Sequence, residues 1–205
     1  MSQAPITLAE VRLALFQLLQ AAYAAPATPE LAGALAEVAA AYGEALGCAL
    51  PQLAPLEPGP DLAEFHRLFV GPERLVAPPY ESVYVSPEPA LMQEATFAVR
   101  SFYRRHGLTL GPERNEPDDH IAFELEFYAR LQAGALAGAG EDLTEPQRRF
   151  LTEHLARWVP AFCGRIAEGS RSPFYRSLAA LTRAVIQLDA EHLNPAAHAK
   201  EESTA

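Results

Sequence analysis

Six ionisable side chains fall within eleven residues in the middle of the chain: Glu116, Asp118, Asp119, His120, Glu124 and Glu126. Three chemistries use such a set. His120 and Glu124 stand four apart, so on a helix they share a face and could ligate a metal. The stretch has no His-Glu-x-x-His pattern, however, and no cysteine or second histidine close by in sequence. Asp119 beside His120 is a possible acid–base pair. That reading needs a nucleophile or a phosphate cradle, and the chain has neither a Gly-x-Ser-x-Gly elbow nor a glycine-rich phosphate loop. The third chemistry is recognition of arginines on a peptide, since carboxylates accept a guanidinium bidentately. A simpler account covers part of the cluster. With Pro117 at the first helical position, Asp118 and Asp119 are first-turn acids stabilised by free backbone N–H groups and the helix dipole.

A second unusual segment lies upstream, Gly71-Pro-Glu-Arg-Leu-Val-Ala-Pro-Pro-Tyr-Glu-Ser-Val-Tyr84. Pro78 and Pro79 would set its shape before any ligand arrives and so reduce the ordering cost of binding. Leu75, Tyr80, Val83 and Tyr84, with Phe69, are candidates for an apolar groove beside the carboxylates, and ordinary core packing is the competing account of each.

The elements that must position these residues read as helices. Thr7-Leu-Ala-Glu10 is a capping box, followed by apolar residues at helical spacing. Thr28-Pro29 starts a second helix, and residues 51–60, with four prolines and a glycine, read as a linker. Asp61 opens a third that Gly71-Pro72 ends. A fourth is expected from about Ala90 to His106, with Gly107 as its left-handed cap and Leu108 packing back. The fifth begins at Pro117 and fades by Ala133–Gly140. Thr144 caps a sixth, which Pro160 should kink or break. Ser172-Pro173 starts a seventh, and the tail after Asn194-Pro195 reads as frayed. Period-2 alternation is missing. The expected fold is all-α: a bundle of about seven or more helices crossed by a long Pro-rich loop, a single domain over 1–205, with 1–112 and 113–205 as possible halves.

Composition narrows the function. The net charge is -10, from 16 basic and 26 acidic residues, which disfavours nucleic acid and favours a basic peptide or patch. The apolar runs are too short for a membrane span. Two distant cysteines and no signal-like N-terminus lead to the expectation of a cytoplasmic protein.

Three segments together resemble the TorD/DmsD/NarJ family, the dedicated chaperones of molybdenum-containing redox enzymes. They are Glu64–Pro72, Ala77–Tyr84 and Glu116–Phe127, with weaker likeness in Phe150–Phe162 and Phe174–Thr182. The resemblance implies an all-helical cytoplasmic chaperone that is not an enzyme and needs no cofactor. Its partner would be the precursor of a molybdoenzyme catalytic subunit with its twin-arginine leader, held until cofactor insertion. The implied leader-binding region is the loop of Pro78, Pro79, Tyr80, Glu81 and Ser82, together with Asp119 and His120. Asp119, with Glu116 or Glu124, would attract the arginines, and Asp118 belongs to the same cluster. Leu75, Tyr80 and Tyr84 would line the apolar groove. His120 would orient a carboxylate, bond the peptide backbone, or simply close the loop on the helix. Family members often carry Trp where this chain has Tyr80 and Met where it has Tyr128. Monomer and dimer stay open, and a small helical enzyme or metal-binding protein using Asp119, His120 and Glu124 is the alternative.

Overall fold

The computed structural model describes residues 6–72, 74–86, 90–111, 116–138 and 143–193. The fold is an all-helical bundle. Helix α1 (Leu8–Ala24) packs on α2 (Pro29–Ala45) and α6 (Ile121–Leu136), while α8 (Ala156–Gly169) packs on α9 (Pro173–His192). Between these lie α3 (Pro58–Phe65), the one-turn α4 (Ser82–Val85), α5 (Glu94–Arg105) and α7 (Thr144–Phe150).

Local chemistry starts and stops many of them. Thr7 and Glu10 form the capping box reciprocally, Thr28 accepts from the Leu31 N–H, and Ser172 accepts from the Tyr175 N–H. Gly107 ends α5 with φ 72°, and the Leu108 N–H donates to the Tyr103 carbonyl at 2.9 Å, a left-handed cap that glycine adopts without strain.

Five boundaries differ from expectation, the first being α7, whose N-cap is Leu143 with Thr144 as its first residue. Helix α3 starts at Pro58, inside the stretch read as a linker, because prolines in a first turn forfeit no intrahelical bond. Helix α5 starts at Glu94, after a backbone turn at Met92 with φ 59°. Pro160 sits within α8 rather than ending it. A wider π turn at Leu151–Leu155 directly precedes Ala156, whose carbonyl the Pro160 ring would otherwise crowd. Helix α6 starts at Ile121, not Pro117, for a tertiary reason given below. Glu73, Pro87, Pro89, Asn115, Gly140 and the tail from Asn194 lie outside the described residues.

The core is aromatic. Tyr103, Phe127 and Phe150 pack with ring centroids 4.6 and 4.8 Å apart, and Trp158, Phe162 and Phe69 are buried in the same cluster. Such ring pairs add about 0.5–1.5 kcal/mol each beyond the area they bury. One ion pair runs through this interior. Arg12 of α1 bonds both Asp189 oxygens on α9, and its remaining donors reach Gln147 Oε1 and Tyr128 Oη. Tyr42 of α2 and Tyr128 of α6 also donate to Asp189, so four helices meet at one carboxylate and Gln147 of α7 joins through Arg12.

Candidate functional site

The proline-containing loop is strapped across the start of α6. The Ile121 N–H donates to the Pro79 carbonyl at 2.9 Å, and the Glu81 N–H donates to the Asp119 carbonyl at 3.0 Å. These two bonds make an antiparallel bridge between Tyr80 and His120, while the described residues contain no strand. The pairing holds residue 120 extended, with ψ 136°, which is why the helix cannot begin earlier. Asp119 adds a third tie, accepting from the Ser82 N–H at 2.8 Å and so starting α4. His120 caps α6 itself: its Nδ1 accepts from the Ala122 N–H at 3.1 Å. That bond requires a neutral ring protonated at Nε2. Burial supplies the neutrality, pushing the imidazole down to about 4 against the opposing pull of Glu116.

Beneath the strap three carboxylates are shut away from solvent. Glu81 is fully buried and bonds His154 Nδ1 at 2.9 Å. Glu124 is fully buried and accepts from Trp158 Nε1 at 3.1 Å. Burial pushes the Glu124 carboxyl well up; the Glu81 charge adds to this, the Trp158 bond opposes it, and Asp119 adds further. Glu124 therefore favours its protonated form. Glu81 Oε1, Asp119 Oδ1, Glu124 Oε1 and Ser82 Oγ are buried with no hydrogen-bond partner among the described residues.

Above the strap lies an open groove in two hollows of about 600 and 740 Å³. Tyr80 and Leu91 line both, so the two adjoin at that pair. The first hollow holds Met92, Leu108, Glu116 and the Arg100–Asp118 ion pair. The second holds Leu75, Pro78 and Val83, with Arg74 and Arg165. The Tyr80 hydroxyl donates to Glu116 Oε2, which fixes an exposed carboxylate at the groove.

The expected site thus divides into an upper and a lower part. Leu75, Pro78, Tyr80, Glu116 and Asp118 face the groove, whereas Pro79, Glu81, Ser82, Asp119 and Glu124 lie under it. The expectation that Asp119 and Glu124 meet a guanidinium needs correction, because both are wholly buried and bonded to the protein. Tyr84 turns inward, with its ring 5.5 Å from Trp158 and the Arg165 guanidinium 4.7 Å over it. Phe69 belongs to the core. Asp119, His120 and Glu124 point to three different partners, and no group of three His, Cys, Asp or Glu among the described residues is placed to hold a metal. Sequence reasoning missed His154, Arg74, Arg165 and the Leu91–Met92 corner. Only the corner had a local signal, two adjacent apolar residues ahead of a helix start.

A family model described as nitrate reductase delta subunit matches residues 25–164, a stretch containing the whole strap and the described groove lining except Arg165. The chain belongs to this family. Among its relatives, a Tat proofreading chaperone DmsD of Salmonella typhi is 32% identical over 167 residues, covering 81% of this chain and 73% of that one. A DmsD protein of Haemophilus influenzae is 32% identical over 124 residues, 60% of this chain and 57% of its own length. The chaperone protein TorD of Vibrio vulnificus is 31% identical over 135 residues, 64% of this chain and 63% of that one. The chain thus spans little more than half the length of some of the relatives it matches. In structure it is similar to a redox enzyme maturation protein from Archaeoglobus fulgidus, with a TM-score of 0.52 over 91% of this chain and 98% of that one, at 19% identity. That likeness concerns the fold. The delta-subunit match leaves out α1 and α9, and with them Arg12 and Asp189.

Proposed function

We propose that this protein is a cytoplasmic maturation chaperone that binds the twin-arginine leader of a molybdopterin-containing oxidoreductase precursor, holding it until cofactor insertion. The observation that carries this reading is the open groove over Tyr80, carried on a loop already strapped to α6. A peptide binding there does not have to order the loop, so less of its contact energy is lost. Leu91, Met92 and Phe97, each about half exposed, offer apolar surface for the leader's hydrophobic residues. Glu116 is the carboxylate open to an arginine, in place of Asp119 and Glu124. The names of the three relatives, proofreading or TorD chaperones, support the same assignment. The chain is proposed to act as one helical unit. Asp119 and His120 serve it as builders of the strap, not as contacts.

The test is co-purification of the native molybdoenzyme precursor, with and without its leader, on wild-type and Tyr80→Ala bait of matched thermal stability. The expected result is capture of the intact precursor by wild type, with at least a tenfold loss for either the leader-deleted client or the variant. Equal capture of the leader-deleted precursor would move recognition to the mature subunit, and capture of neither would overturn the chaperone reading.

A further inference from the structure

The two hollows differ in charge. In the first, Arg100 and Arg104 are balanced by Glu116 and Asp118. In the second, Arg74 and Arg165 stand among apolar residues, with no acid among the described lining residues. This is a local reversal in a chain whose net charge is -10. Neither arginine takes part in an ion pair among the described residues, and both are exposed. Arg165 is nonetheless held in place, since its guanidinium lies over the Tyr84 ring at 4.7 Å. Stacking on a ring leaves the in-plane N–H groups free to donate.

A cationic pair with no ion-pair partner among the described residues, at the edge of an apolar hollow, is complementary to an acidic residue next to an apolar one. Glu116 and the two arginines lie on opposite sides of the Tyr80–Leu91 pair that the hollows share. We propose that the groove reads its peptide in one direction: arginines at Glu116, apolar residues over Tyr80 and Leu91, and a carboxylate side chain at Arg74 and Arg165. This rests on the leader-binding reading of the same groove and adds a specificity to it. A bound client segment carries opposite charges at its two ends, and a leader lacking the acidic end binds more weakly.

Three fluorescein-labelled peptides test this by anisotropy. Each has Arg-Arg, a short apolar run and then Asp-Asp, Asn-Asn or Lys-Lys. The acidic peptide is expected to bind wild type about fivefold to tenfold tighter than the amide one, as two partly exposed charge-assisted contacts would give. The lysine peptide should bind weakest, and the preference should shrink with added salt. In Arg74→Gln, Arg165→Gln, shown folded by its thermal melt, the acid-to-amide ratio falls to about one; in the Lys, Lys counterpart part of it returns. Equal binding of all three peptides by wild type overturns the acidic end and leaves the leader reading standing. A preference that survives the Gln, Gln variant overturns the assignment to this hollow. Binding of none overturns both.

Discussion

Two buried clusters of ionisable side chains sit in this bundle, and they are built on opposite terms. Around Asp189 one carboxylate meets one guanidinium, and two tyrosine hydroxyls and a glutamine complete the bonding. Under the strap three carboxylates share one histidine, one indole N–H, one backbone N–H and, at 4.0 Å from Glu81, the exposed Arg157 guanidinium, and three carboxylate oxygens have no hydrogen-bond partner among the described residues. The first cluster fastens five helices far from the groove. The second lies directly beneath the groove floor, where it fixes the loop that carries Tyr80. The difference teaches where the molecule has accepted electrostatic cost. Balanced charge is used where only packing is at stake, and unbalanced acid is used where the loop must be held in one shape.

The comparison can be broken most severely at the balanced cluster. Asp189→Ala leaves Arg12 buried without its partner, a change expected to cost about 3–5 kcal/mol. In a chain of this length that lowers the melting temperature by roughly 10 °C or more, read by calorimetry. A shift under a few degrees would mean that Arg12 finds solvent when released. Glu81→Gln comes next. It weakens the bond to His154 but relieves the repulsion on Glu124, so a smaller net loss of about 1–2 kcal/mol is expected. Here the melt should be paired with hydrogen exchange at the Ser82 amide, which should open sooner if the strap depends on this carboxylate.

Glu124→Gln sharpens the comparison with the smallest effect. The amide mimics the protonated form that the site already favours, so stability at neutral pH should change by no more than about 1 kcal/mol. Its signature is in the pH dependence. An acid whose folded pKa is raised contributes stability fully below its unfolded value, about 4.3, and loses it as pH rises toward the folded value. Wild type should therefore lose stability with rising pH above about 4.3, and the variant should lose less. His120 acts in the other direction. With its folded pKa held down to about 4, its contribution is present above about 6.5 and lost as pH falls toward 4. Unfolding curves of both chains between pH 4 and 8 separate these contributions. Identical slopes in the two would show that Glu124 does not titrate in this range.

Much of the bundle was legible in the sequence, since capping is chemistry between residues three or four apart. Thr7, Thr28, Ser172 and Gly107 all act as their neighbours imply. Pro117 misled because the start of α6 is set by backbone bonds to residues 79 and 81, nearly forty positions away. The Arg67–Glu64 pair follows from a spacing of three residues, but its depth comes from the fold. Glu64 is buried, and although burial raises its carboxyl, bonds from Arg67, the Arg171 N–H and Ser170 hold it at about 2. It joins α3 to the α8–α9 corner and is not a surface pair.

By itself the sequence determined the helical class and most helix ends, and singled out the two segments around Tyr80 and Asp119. These depend on short-range spacing and on residue types that only a few backbone conformations accept. Only the tertiary structure decided which carboxylates face a ligand. Asp118, Asp119 and Glu124 are similar acids within seven positions, yet one lines the groove and two are sealed beneath it. Exposure is set by which chain segment lies across them, and here that segment is the loop from Pro78 to Val85, joined to them only by folding.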